Sequence, residues 1–170
     1  MNNPLYTASV PVFIQMLGGL KAVLAKAAAH AAAKNIAPDV LLQARLFPDM
    51  FHMMRQVQIA CDFAKGTACR LAGQAVPAMA DTETSFAELE ARIDTVLALL
   101  AALPVAQFDG AETREIVTQA GTPREKKFMG TSYVFNYGLP HFFFHVTTAY
   151  NILRKNGVPL GKIDFLLGKV

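Results

Sequence analysis

The sequence predicts an all-α protein, a four-helix bundle with a long crossover before its last helix and a small β-hairpin within that crossover. Four long segments hold apolar residues at three- and four-residue steps, and Gly, Pro and Asn mark the breaks between them. The composition also fits one well-buried domain: the 170 residues are 53% hydrophobic and only 17% charged, against a usual ~25% charged. One domain over residues 1–170 is expected, and the length excludes a two-domain enzyme.

The first helix is expected from about Leu5 to Lys34, where Tyr6, Val10, Phe13, Leu17, Leu20, Leu24 and Ala27 recur at helical steps before Asn35 and Pro38. A short helical turn follows at Val40 to Arg45. Asp49 is the expected cap of a second long helix reaching Gly73, because a short side-chain acceptor before an apolar-periodic run satisfies free amides. Its apolar face is Met53, Val57, Ala60, Ala64 and Leu71, and Arg55, Gln58, Asp62 and Lys65 make a polar opposite face. Ser85 with Glu88 has the spacing of a capping box and opens a third helix, which Pro104 stops. Residues 105–138 read as an insertion. There Ile116-Val117-Thr118 and Lys127-Phe128-Met129, separated by Gly121 and Pro123, are expected to pair as a hairpin. The fourth helix is expected to start near Pro140 and end at Lys155-Asn156-Gly157, with Val158 to Val170 packing back on the bundle.

Charge and hydropathy remove several function classes. The net charge of +3 and pI near 9.0 are mildly basic, but Lys and Arg are scattered, which excludes the basic stripe of a nucleic-acid interface. Apolar stretches such as Val96 to Phe108 contain Pro104 and fall short of the ~20 residues that span a bilayer. The start, Met-Asn-Asn-Pro, lacks the basic residues and apolar run of a signal peptide, so a cytoplasmic location without membrane association is expected. Cys61 and Cys69 lie about 12 Å apart along one helix, too far to bridge, and read as small core residues. Apolar residues in excess of what one core holds point to a homodimer.

The four histidines are the most informative residues. His141 and His145 stand four apart, on one face of the fourth helix with Thr148 and Ile152, opposite Thr147, Asn151 and Arg154. His52 heads a stripe with Gln56, Ile59 and Phe63 on the second long helix. Three neutral imidazoles suit zinc, nickel or iron and leave a coordination position for water or substrate. Gln56 and Thr148, one turn beyond His52 and His145, are the expected orienting partners. The competing account is that these are buried histidines bonded to a carbonyl or hydroxyl. Phe142, Phe143 and Phe144 separate the pair, so the glutamate of a zinc-protease motif is missing.

Other residues carry less. His30 reads as a helix-terminal residue, and Asp62 as a solvated partner of Arg55 and Lys65. Tyr133, Tyr137 and Tyr150 either line a pocket or fill core and interface positions, with packing favoured, and Met50, Met53 and Met54 read as adaptable core. Gly157, Gly161 and Lys162 follow a helix, whereas a phosphate cradle lies between a strand and a helix.

Residues 141–166, His-Phe-Phe-Phe-His-Val-Thr-Thr-Ala-Tyr-Asn-Ile-Leu-Arg-Lys-Asn-Gly-Val-Pro-Leu-Gly-Lys-Ile-Asp-Phe-Leu, resemble the closing segment of an uncharacterised branch of the DinB/YfiT-like superfamily. Phe51 through Gly66 resembles the same branch's second helix. The resemblance spans the chain and implies a dimeric four-helix bundle. It also implies a divalent metal on one histidine of the second helix and a spaced pair on the fourth, matching His52, His141 and His145. The superfamily includes thiol-dependent transferases and isomerases. The expected function is therefore a divalent-metal-binding bundle, a thiol-type transferase or hydrolase acting on a small molecule. No residue stands out as a general base, so catalytic residues are not assigned. The alternative is a non-catalytic dimer that binds an apolar small molecule or a protein partner. No organic cofactor is implied.

Overall fold

The computed structural model describes residues 3–167. Its helices are α1 (Pro4–Ala33), α2 (Pro38–Leu42), α3 (Met53–Leu71), α4 (Phe86–Ala101), α5 (Gly130–Tyr133), α6 (Leu139–Lys155) and α7 (Lys162–Leu167), and its strands are β1 (Glu115–Thr118) and β2 (Lys126–Met129). Two 3-10 turns, Val105–Phe108 and Ala111–Thr113, lead into β1, and a π-helical turn, Val134–Gly138, joins α5 to α6. The four long helices α1, α3, α4 and α6 form the expected bundle, with the most extensive helix pairing between α3 and α6. All five residues assigned to the α3 apolar face are fully buried.

Asn3 caps α1, accepting from the amides of Leu5 and Tyr6 at 3.1 Å, while its own amide donates to the Phe108 carbonyl at 2.9 Å. One cap thus ties the crossover to the start of the bundle. By length and composition α1 is apolar enough to cross a membrane, and half of its most apolar stretch is buried against the other helices. Ser85 caps α4 by accepting from the Glu88 amide at 3.2 Å. The return bond of the box reaches back one residue further than expected, with the Thr84 amide donating to Glu88 at 2.5 Å.

Strands β1 and β2 pair antiparallel with Ile116 opposite Phe128, as the sequence predicts. The helical path towards α6 begins earlier than expected, at Gly130, nine residues before Leu139. Gly138 lets this path lie against α3, since a Cβ there would stand 2.7 Å from Thr67 Cγ2 and Oγ1. The tail returns as α7 onto α1, held by Lys26 donating to Asp164 at 2.6 Å. Val158 and Leu160 are buried, whereas Ile163 and Leu166 are exposed. Residues 168–170 and the Leu167 side chain belong to the expected tail but lie outside the described residues.

The face of α3 assigned to solvent is instead partly covered. Gln58 and Lys65 are buried, and Asp81 and Glu83 of the extended segment between α3 and α4 reach this face. Arg92 of α4, with a side chain 1% exposed, donates to Asp62, Glu83 and the Ala80 carbonyl, each at 2.8–2.9 Å, and pairs with Asp81 at 2.9 Å. Arg55 pairs with Asp81 rather than Asp62, and Gln58 donates to Glu83 at 2.8 Å. Burial raises the Glu83 carboxyl, but its bonds from Arg92 and Gln58 outweigh that and hold it below its ordinary value. Asp62 is therefore a part-solvated acid that pairs with Lys65, as expected, and also with Arg92, which makes it part of a clamp on the segment linking α3 and α4.

Candidate functional site

The α3–α6 interface brings three of the predicted site residues together and uses two others differently. Gln56 is 1% exposed and His145 9%. The Gln56 amide nitrogen donates to the Phe51 carbonyl at 3.0 Å, which turns its oxygen towards His145 Nδ1 at 2.7 Å. An amide oxygen only accepts, so Nδ1 carries the proton and Nε2 keeps its lone pair. Burial, then His141 and Arg55, push the His145 pKa down to about 4, so the imidazole is neutral at pH 7. Burial, then Lys126, also lowers His141. His141 stacks on Phe63 with centroids 4.6 Å apart and meets Tyr137 edge-on at 4.5 Å.

His52 takes a different role from the one predicted. It is the N-cap of α3, accepting from the Arg55 amide at 3.2 Å through Nδ1, so Asp49, three residues earlier, is not the cap. This explains the helix start: the imidazole supplies the acceptor that a free N-terminal amide requires. A neutral imidazole has one lone-pair nitrogen. If Nδ1 accepts from Arg55, Nε2 carries the proton and has no lone pair for an ion, so capping and ligation through Nε2 exclude one another. Among the described residues, no three His, Cys, Asp or Glu side chains are grouped to hold a metal. As placed, His52, His141 and His145 do not fit a single ion. Thr148 likewise turns away, donating to the Phe144 carbonyl at 2.6 Å, which leaves Gln56 as the orienting partner of His145.

Beside His141 the aromatic surface opens into a cleft of about 180 Å³ lined by Asp62, Phe63, Arg70, Thr118, Gln119, Tyr133 and Tyr137. Phe63 and Tyr137 meet at 5.7 Å and 61°, making a corner rather than a flat wall. Tyr137 also contacts Phe128 and Tyr133, and Lys126 stands over its ring at 5.5 Å. The cleft is made where α3, the π turn and the hairpin meet. A π turn re-aims the side chains it carries, and single π turns recur at functional sites. A larger depression, about 320 Å³, lies over α4, but Arg92 and Glu83 on its wall are already paired with each other.

Sequence reasoning missed Arg70 and ranked packing above pocket lining for Tyr137, because the cleft depends on the hairpin's docking. It also missed Arg92, for which a signal existed. Arg92 lies three residues after Leu89 and four before Val96, on the buried stripe of its helix. A cation there must find buried acidic partners.

Bundle, crossover hairpin and the α3–α6 site together define a DinB-like helical protein. A crystal structure of a DinB family member protein from Shewanella denitrificans is 44% identical over 95% of this chain and 91% of that one, with a TM-score of 0.89. Residues 5–166 match the family described as domain of unknown function (DUF1993), and the chain belongs to that family. No curated protein matches it.

Proposed function

We propose that the protein binds a small molecule in the aromatic cleft between α3, the π turn and the hairpin, with neutral His141 beside it and His145 held by Gln56 behind. The observation that carries this is the continuous run of rings, His145 and His141 against Phe63 and His141 against Tyr137, leading to an open cleft with polar groups on its rim. Aromatic walls with a few placed polar groups are the ordinary make-up of a ligand site. The test is an NMR-observed screen of small aromatic and aliphatic compounds against the untagged protein. Ligands should shift the Phe63, Tyr137 and His141 signals together and lose affinity in Tyr137→Leu. Hits scattered over other surfaces would overturn the reading.

A second reading is supported by the lone pair that Gln56 leaves on His145 Nε2: a divalent ion on His141 and His145, joined by His52 after it gives up its cap, serving thiol-type transferase or hydrolase chemistry. It makes separable demands. Zinc, nickel or iron should bind near-stoichiometrically, be lost in His141→Ala and His145→Ala, and shift the Arg55 amide as the cap breaks. Binding that leaves that amide unmoved would remove His52 from the set. The homodimer expected from composition has support in Phe47, Phe51 and Phe144, each more than half exposed. Light scattering at micromolar concentration should give twice the 18.4 kDa chain mass.

A further inference from the structure

We propose that the occupant of this cleft is a small aromatic carboxylate, its ring in the Phe63–Tyr137 corner and its carboxylate on Arg70. The inference rests on the ligand-binding reading above and names the ligand class. Among the described residues, Arg70 pairs with no carboxylate, and the contact it makes is to a neutral group, the Tyr133 hydroxyl at 3.2 Å. The acid on the cleft wall does not meet the need. Asp62 is shared by Arg92 at 2.9 Å and Lys65 at 3.4 Å, so its charge is already balanced.

The placement of Arg70 is built into α3. A Cβ at Gly66 would stand 2.6 Å from Arg70 Nη1, so the missing side chain at residue 66 leaves room for the guanidinium to lie back over its own helix. From there it reaches Tyr133, beside the aromatic corner. Lys126 over Tyr137 adds a second positive charge at the rim. A guanidinium matches the planar, two-oxygen geometry of a carboxylate. The 61° meeting of Phe63 and Tyr137 offers edge and face contacts to a third ring. The cleft volume of about 180 Å³ suits a single ring and its carboxylate.

The experiment compares benzoate, benzamide, benzyl alcohol and inorganic phosphate by NMR titration of the full chain and of Arg70→Gln, Arg70→Lys and Gly66→Ala, each checked for folding by circular dichroism. Benzoate should shift the cleft signals and bind about 10- to 100-fold more tightly than benzamide, the scale of a charge-assisted bond. Arg70→Gln should abolish that preference, and Gly66→Ala, which keeps the charge but displaces it, should weaken benzoate selectively. Arg70→Lys should retain only part. Equal binding of benzoate and benzamide would overturn the carboxylate assignment while leaving the cleft a ligand site. Phosphate binding as tightly as benzoate would also overturn it, by removing the role of the ring. If no aromatic compound shifts the cleft, this inference falls, and the reading beneath it falls with it only if the aliphatic compounds of the wider screen also leave the cleft signals unmoved.

Discussion

Acidification should expose what it costs to keep His145 neutral and buried. In the folded protein its pKa is pushed from 6.5 to about 4, first by burial and then by His141 and Arg55. As pH falls below 6.5 the unfolded chain takes up a proton that the folded site refuses. Stability is therefore full above that pH, falls between 6.5 and about 4, and levels off below. A depression of this size corresponds to about 3 kcal/mol, a large share of the ~5–15 kcal/mol that holds a domain together. His52 and His141 are also lowered, so they act with the same sign. Glu83 is held below its ordinary 4.5, so it too loses stability on acidification, with its share falling at the acid end of the range. Urea unfolding from pH 7.5 to 4.5 measures the effect, with His145→Asn as the partner variant because an amide can still donate to Gln56. The wild type should lose stability across this window far more steeply than the variant, and the His145 ring signals should show no titration above pH 5. A ring titrating near 6.5, or parallel pH curves for both proteins, would refute the reasoning.

Arg92→Met should lower stability by about 2–4 kcal/mol in denaturant melts, below the full cost of breaking a buried ion pair because Asp62 and Asp81 are part-solvated and only Glu83 is well covered. An unchanged midpoint would show that the clamp contributes nothing. His52→Ala should cost about 1 kcal/mol through loss of the α3 cap, whereas His52→Asn, itself a good cap, should restore it. A rescue that fails would mean His52 does more than cap. Gly138→Ala should destabilise by about 1–3 kcal/mol by forcing a methyl against Thr67, and thermal melts of the double variant with Thr67→Ala should recover part of that loss.

The elements were largely legible because their signals are local. Helical periodicity, the Ser85 cap and the Gly121–Pro123 turn each act within a few residues, and α1, α4 and the hairpin stand where those signals put them. The inward face of α6 was equally readable, since His145 and Ile152 follow one helical stripe. Gln56 is expected as an orienting partner from its place one turn beyond His52, but the imidazole it bonds, at 2.7 Å, is that of His145, across the packed helices.

The amino-acid pattern settled the apolar face of each long helix and the inward direction of His145. Only tertiary structure decided how the polar side chains spend their hydrogen bonds. His52 had the spacing of a ligand, but the chain path into α3 left the Arg55 amide needing an acceptor, and the imidazole took that role. The polar face of α3 looked solvated until Arg92 and the segment linking α3 and α4 closed over part of it. Arg70 became a cleft residue only when the hairpin and π turn docked beside it. A lone pair or a charge has one set of partners in the fold, and those partners come from elements far apart in the chain, where helical periodicity carries no information.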